Sequence, residues 1–142
     1  MGFQSELDNY VFWCRDEQLK LIDKFKEDLK LNSALCKTKN FEFRHYWITD
    51  GTYIMEFGSI NDDSYDSVLK IYENQFENNF DSVTEERFKK TESVTNRMKK
   101  VCGASNYCLP LRNSEHLARY IYCGAWLSNQ ANRNGNITYF NF

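Results

Sequence analysis

Residues 111–130 read LRNSEHLARYIYCGAWLSNQ, and this stretch decides the fold of the chain. Asn113 is a favourable N-cap residue, and the apolar residues that follow it recur at the spacing of an α-helix. Four residues would share one face of this helix, namely Leu117, Tyr120, Ile121 and Gly124. A face of this kind suits packing against a β-sheet, so we predict a helix that begins near Asn113 and lies on a sheet.

Two more helices are predicted nearer the N-terminus. Residues 6–31 carry apolar side chains at roughly helical spacing, with charged residues between them. Ser82 and Glu85 fit a capping box, which predicts a helix that begins there and runs to about Val101. Gly103 supplies the stop of that helix.

The middle of the chain has the character of β-structure. Residues 41–60 contain short aromatic and β-branched runs that are broken by Asp50-Gly51. Asp-Gly is a strong turn signal, so we expect a β-hairpin here. Residues 68–72 fit either a strand or a short helix, and residues 137–142 fit one edge strand. The pattern as a whole predicts an α+β fold.

The composition is that of one folded domain. The chain has 142 residues, of which 42% are hydrophobic and 16% are aromatic, so a small core can bury a large apolar area. A single proline and few glycines give no sign of a linker. We therefore expect residues 1–142 to form a single domain.

Charge, hydropathy and cysteine usage restrict the class of protein. The net charge of −2 gives no global attraction to nucleic acid or to an anionic membrane. No apolar run reaches the roughly 18 residues of a membrane span, and the N-terminus lacks the zones of a secretory signal. The five cysteines are odd in number and lack metal-ligand spacing. These features predict a cytoplasmic protein with reduced thiols, no membrane span, no metal and no cofactor.

The stretch around Ser114 resembles the nucleophile segment of the lecithin retinol acyltransferase-like family, also called the H-box/NC type. That pattern runs Asn-Cys-Glu-His-Phe, then a helix, a Tyr-Gly step and a Ser-x-Gln ending. The landmarks here include Asn113, Glu115, His116 and the final Gln130. One landmark differs, because Ser114 stands where the family carries its cysteine nucleophile.

A second resemblance lies earlier in the chain. Residues 44–57 are similar to the family's histidine box, which is a His-aromatic strand, an Asp-Gly turn and a return strand. The resemblance assigns the general base to His45. It places Glu56 where the family has a second histidine that orients the base. The two boxes occur in the family's order, and together the match covers roughly residues 41–130.

The resemblance implies a circularly permuted papain-like (NlpC/P60-like) fold, in which a small antiparallel sheet packs with helices and an N-terminal helix is added. It also implies a site that combines His45, Glu56 and Ser114. A carboxylate can hold an imidazole tautomer, as the acid of a Ser-His-Asp triad does. A helix N-terminus favours negative charge at residue 114. Asn113 would support an oxyanion or would simply cap the helix.

Each candidate residue also has a structural interpretation. His45 would then be a satisfied strand histidine, and Glu56 a solvated carboxylate. His116 is expected to pack or to cap the helix rather than to react. Two explanations of Ser114 stay open: the serine was introduced to silence a reactive cysteine or trap a state, or it is natural and the protein keeps the scaffold without the reaction.

The two branches of the family imply different functions. Cellular members are phospholipase A and acyltransferase enzymes that form a thioacyl intermediate, and many carry a C-terminal membrane helix. The other branch is the picornaviral 2A proteins of the H-box/NC type, which are not proteases and have roles in viral RNA replication and host interaction. The absent anchor, Glu56 and the added helix favour the viral branch.

On that interpretation the chain is a catalytically silent or weak protein of the host cytoplasm, with viral RNA or host proteins as partners. The alternative is an acyltransferase, acting on a lipid or acyl substrate, whose cysteine nucleophile has been replaced by Ser114.

Basic residues on the predicted helix 82–101 form one further candidate surface. Lys89, Arg97 and Lys100 would fall near one side of that helix at 3.6 residues per turn. Such a stripe would meet RNA phosphates or lipid headgroups. The simpler interpretation is a solvated helix face, because glutamates interrupt the stripe and no aromatic residue for base stacking lies within it.

Overall fold

The computed structural model describes residues 14–37, 39, 42–59, 67–74, 82–105 and 112–130. In this part of the chain one helix is followed by five strands and then by two helices, so the α+β class predicted from the sequence is confirmed. In chain order the elements are α1 (Arg15–Ile22), β1 (Asp28–Lys37), β2 (Glu42–Thr49), β3 (Tyr53–Ser59), β4 (Ser67–Glu73), β5 (Ser82–Lys89), α2 (Glu92–Val101) and α3 (Ser114–Cys123).

The five strands form one antiparallel sheet in the order β4-β3-β2-β1-β5. The first strand lies inside the sheet, because β1 pairs with β2 on one side and with β5 on the other. The helices pack on one face, with α3 against β2, α2 against α3, and α1 against β4. Between sheet and helices lies a core of fully buried apolar side chains, including Leu31, Ile48, Met55, Met98 and Ile121.

The hairpin predicted in residues 41–60 is confirmed as β2 and β3. Gly51 has a φ of 95°, in the left-handed region that glycine adopts without strain. One carboxylate oxygen of Asp50 accepts hydrogen bonds from the amides of Thr52 and Tyr53, at 2.7 and 2.6 Å. The other oxygen accepts from the amide of Lys26 at 2.9 Å, which ties the turn to the segment between α1 and β1. Local turn chemistry therefore sets this hairpin.

The helix predicted over residues 6–31 is wrong in its second half. The described part of that helix ends at Ile22, and residues from Asp28 onward form β1. The Lys90 ammonium donates to the carbonyls of Ile22 and Phe25, at 2.7 and 3.0 Å, where helical hydrogen bonding stops. Residues 1–13, which carry the first half of the prediction, lie outside the described residues. Pairing with strands from far along the chain overrides the helical pattern here.

The helix predicted from Ser82 to Val101 is also wrong in its first half. Residues 82–89 form the edge strand β5, which pairs with β1 and contains a bulge where Leu31 pairs with Glu86 and Asn32 with Thr84. The N-cap of α2 is Thr91, which lies nine residues after the predicted cap Ser82.

The remaining predictions of local structure are mostly confirmed. Residues 68–72 form a strand, within β4. The helix α3 has Asn113 as its N-cap and Gly124 as its C-cap, with Gly124 at a φ of 82°. Residues 137–142 lie outside the described residues. Of the helices described, none is long and apolar enough to cross a membrane.

Replacement of Thr91 by alanine tests the corrected helix start. The Thr91 hydroxyl accepts the amide of Val94 at 3.2 Å, so Thr91→Ala should lower the free energy of unfolding by about 1 kcal/mol. Urea denaturation measures this loss. Ser93→Ala, at an exposed position of α2, is the control and should change the stability by less than about 0.5 kcal/mol. Equal losses in the two variants would contradict the assignment of the cap.

Candidate functional site

The candidate site lies where β2 parts from β3. Within the described residues of these two strands the ladder holds two pairs, Ile48 with Met55 and Thr49 with Ile54. Nearer its start, β2 has other partners. The amide of Tyr46 donates to the Oγ of Ser114 at 3.1 Å, and the amide of Arg44 donates to the Oε1 of Gln130 at 3.0 Å. The beginning of α3 and residue 130 thus take the place of a neighbouring strand.

The start of α3 is held by a reciprocal cap. The Oδ1 of Asn113 accepts the amide of His116 at 2.9 Å, and the Nδ1 of His116 accepts the amide of Asn113 at 3.1 Å. The His116 ring also stacks on Trp126, with ring centroids 5.4 Å apart. The expectation that His116 packs and caps is confirmed. Ser114 is consequently the first residue of the helix, held in one orientation.

A buried carboxylate fastens the segment after α3 to the helix. Glu115 is fully buried, and its Oε2 accepts the Nε of Arg119 at 2.6 Å. Its Oε1 accepts the Ser128 hydroxyl at 2.9 Å and the Gln130 amide at 3.1 Å. Asn113 donates from Nδ2 to the Ser128 Oγ at 2.8 Å. A buried charge is tolerated only with partners of this kind, and here they position Gln130 against β2.

The side chains of His45 and Glu56 are hydrogen-bonded where β2 and β3 separate. The Nε2 of His45 lies 2.5 Å from the Oε2 of Glu56. The imidazole stacks on Trp47, with centroids 5.6 Å apart, and the other carboxylate oxygen of Glu56 accepts the hydroxyl of Tyr72. With Nε2 bound to the carboxylate, Nδ1 is the ring nitrogen that can accept a proton.

The environment of Glu56 keeps it ionised. Burial on its own would raise the pKa of Glu56, but hydrogen bonds from His45 and Tyr72 and the positive charge of Lys70 outweigh burial and lower it below its usual value. The pKa of the Tyr72 hydroxyl is raised, first by burial and then by the adjacent carboxylate. Glu56 is therefore a carboxylate at neutral pH, and the Tyr72 hydroxyl keeps its proton.

The structure places Ser114 beside the backbone of β2. Tyr46, whose amide contacts the Ser114 hydroxyl, directly follows His45. Side chains alternate along a strand, so His45 shares a face of β2 with Trp47, whereas Tyr46 points at α3, where the Arg119 guanidinium lies over its ring at 5.5 Å. Within the described contacts, no hydrogen bond joins the imidazole of His45 to the Ser114 hydroxyl.

The three basic residues predicted to share a helix face do not do so, and that prediction is corrected. Lys89 lies in the edge strand β5 and forms an exposed ion pair with Asp28. Arg97 lies in α2, where its guanidinium donates to the carbonyls of Ile121 and Tyr122 at the end of α3, at 3.0 and 3.1 Å. Lys100 follows in the last turn of α2. The three residues therefore do not form the stripe on one helix that the sequence predicted.

Sequence reasoning did not single out Tyr72 or the anchoring role of Glu115. Tyr72 reaches Glu56 only because β4 pairs with β3 in a register that sets Ile54 opposite Tyr72. No local pattern gives that register. The Ser-x-Gln ending, by contrast, was a visible signal, and its residues are those that bind Glu115 and β2. No group of three or more His, Cys, Asp or Glu residues in the described ranges could hold a metal ion.

Comparison of the chain with protein-family models, with curated proteins and with solved structures finds no match.

Removal of the Glu115 charge should destabilise the protein and weaken the contact of α3 with β2. In Glu115→Gln the Arg119 guanidinium loses its buried counter-ion, so we expect the free energy of unfolding to fall by about 3 kcal/mol. The amide of Tyr46 should exchange with solvent faster, because α3 no longer sits firmly on β2. Urea denaturation and hydrogen exchange measure the two effects. Glu42→Gln, in an exposed pair with Lys37, is the control, with a loss below about 1 kcal/mol.

His116 should make the fold sensitive to mild acid. Burial lowers the pKa of His116 from 6.5 to about 4 in the folded protein. The unfolded chain therefore binds the proton first, and stability that is complete above pH 6.5 is lost as the pH falls toward 4. Between pH 7 and pH 5 the wild type should lose about 2 kcal/mol more than His116→Gln. Urea denaturation at both values tests this; equal losses would show that His116 is not the group responsible.

Proposed function

We propose that this chain is a non-proteolytic H-box/NC protein on a circularly permuted papain-like scaffold, most like the picornaviral 2A branch, with a dormant acyl-transfer site. The observation that carries the proposal is the hydrogen bond from the Tyr46 amide to Ser114. It joins the early histidine box to the late nucleophile segment, at the position where the family has its cysteine.

The chemistry of Ser114 supports a site that does not catalyse acyl transfer. A thiol has a pKa of about 8.5, whereas that of an aliphatic alcohol is several units higher, so a site built for a thiolate has no ready anion. The Ser114 hydroxyl accepts an amide hydrogen and is not hydrogen-bonded to His45 within the described contacts. A serine nucleophile needs a base in hydrogen-bond reach. Among the described contacts, no such base is hydrogen-bonded to Ser114.

The biological role that follows from the resemblance is in viral RNA replication and host interaction, in the host cytoplasm. The partners would be viral RNA or host proteins. Lys89, Arg97 and Lys100 do not support an RNA surface, because they do not share one helix face.

A second candidate function is that of a phospholipase A or acyltransferase whose cysteine has been replaced by Ser114. It is favoured by the pairing of His45 with Glu56, which holds an imidazole in the manner of a working base. With a thiol at residue 114, His45 would take the thiol proton and the thiolate would attack the carbonyl carbon of an ester. The S–C bond would form, the C–O bond would break, and the departing alkoxide would take the proton back from His45.

Restoring the thiol tests both candidates. Ser114→Cys should become acylated at residue 114 when incubated with p-nitrophenyl butyrate or a short-chain phosphatidylcholine, and intact-mass spectrometry with peptide mapping measures the adduct. Combining this change with His45→Ala should lower the acylation rate by about 100-fold, because the general base is lost. Wild-type protein should carry no adduct on Ser114.

Ser93→Cys is the matched control, since it adds a thiol at an exposed site away from His45. Residue 114 should react faster than this thiol and faster than the natural cysteines. Acylation of Ser114 in the wild type would overturn dormancy. No preferential acylation of Ser114→Cys across a panel of esters would overturn both the dormant site and the acyltransferase alternative.

A further inference from the structure

A cluster of polar side chains lies on the face of the sheet opposite the helices. Glu56 is its centre and most of its side chain is buried, with 19% of the side-chain surface exposed. Its two oxygens have separate donors, His45 from β2 and Tyr72 from β4. Three adjacent strands therefore contribute to one hydrogen-bonded chain that runs from the Tyr72 hydroxyl through the carboxylate to the imidazole.

Lys70 adds a positive charge beside the Glu56 carboxylate of this cluster. In the β3–β4 ladder Lys70 is directly opposite Glu56, and its ammonium lies 5.7 Å from the centre of the Tyr72 ring. The lysine side chain passes over Gly58, where an added Cβ would stand 2.7 Å from its Cε. Gly58 thus leaves space for Lys70 beside the carboxylate.

We infer that Tyr72 is a positioning residue for His45, acting through Glu56. Its hydroxyl occupies one carboxylate oxygen, so the carboxylate cannot rotate freely and presents its other oxygen to Nε2. That contact fixes the imidazole with its proton on Nε2 and leaves Nδ1 as the basic nitrogen. This inference rests on the proposed function, in which His45 is the base; Ser114 binds the edge of β2 through the Tyr46 amide, so residue 114 is not confined to the face that carries the helices.

The physical reason is that a carboxylate with one donor has two equivalent oxygens and can turn about its Cγ–Cδ bond. A second, neutral donor on the neighbouring strand removes that freedom without supplying a proton, because the tyrosine hydroxyl remains protonated. An imidazole bound to a fixed acceptor has one preferred tautomer, whereas one bound to a mobile acceptor exchanges between two.

The state of the His45 ring can be measured without any activity. Protein labelled with ¹⁵N-histidine contains two imidazoles, His45 and His116. In the wild type, two-bond ¹H–¹⁵N spectra recorded at a pH where the ring is neutral should show His45 with its proton on Nε2 and an unprotonated Nδ1. In Tyr72→Phe the Nδ1 and Nε2 signals of His45 should move toward each other, as expected for a mixture of tautomers.

The chain supplies two controls for this measurement. His116 accepts the Asn113 amide through Nδ1 on the other side of the sheet, so its signals should not change in Tyr72→Phe. Tyr53→Phe removes a hydroxyl from the same sheet without touching Glu56, and should leave His45 unchanged. An unaltered His45 tautomer in Tyr72→Phe, or an equal change in Tyr53→Phe, would overturn the inference.

A second arm relates the tautomer to reactivity. In the Ser114→Cys background, Tyr72→Phe should lower the rate of acylation by roughly tenfold, the effect of losing one hydrogen bond to a charged group. A tautomer change without a rate change would overturn the positioning role. If Ser114→Cys is not acylated at all, the proposed function fails, whereas the spectra still decide whether Tyr72 orients His45.

Discussion

The hydrogen bond from the Tyr46 amide to Ser114 is the constraint on which the architecture of the site depends. Because β2 leaves β3 after two residue pairs, the amides at its start need other acceptors. A buried amide without a partner costs about 1–3 kcal/mol. Ser114 and Gln130 supply the acceptors, and in doing so they draw the start of α3 against the strand that carries His45.

This constraint gives residues 113–130 structural roles that do not require catalysis. Asn113 and His116 cap the helix, and Glu115 holds Ser128 and Gln130. The Ser114 hydroxyl accepts the hydrogen bond from the Tyr46 amide, so this structural contact does not need a thiol at residue 114. Residues 113–130 therefore keep this arrangement whether or not residue 114 reacts, since these contacts do not depend on catalysis.

The sequence was informative where structure is local. The hairpin at Asp50-Gly51 and the helix after Asn113 follow from turn and capping chemistry within a few residues, and both are present. The pairing of His45 with Glu56 was anticipated from the resemblance to a histidine box. The helical patterns across β1 and β5 were misleading, because isolated capping and spacing signals carry less free energy than the ladder that pairs these two strands.

What the sequence by itself determined was therefore the hairpin, the capped helix α3 and the residue types that meet at its start. Only the tertiary structure decided that residues 28–37 and 82–89 are strands, that the basic residues are dispersed, and that Tyr72 reaches Glu56. The physical reason is that the hydrogen bonds of turns and caps join residues that are neighbours in the chain. Strand register and cross-strand clusters, in contrast, depend on contacts between residues that are tens of positions apart. The sheet as a whole sets how those residues pair.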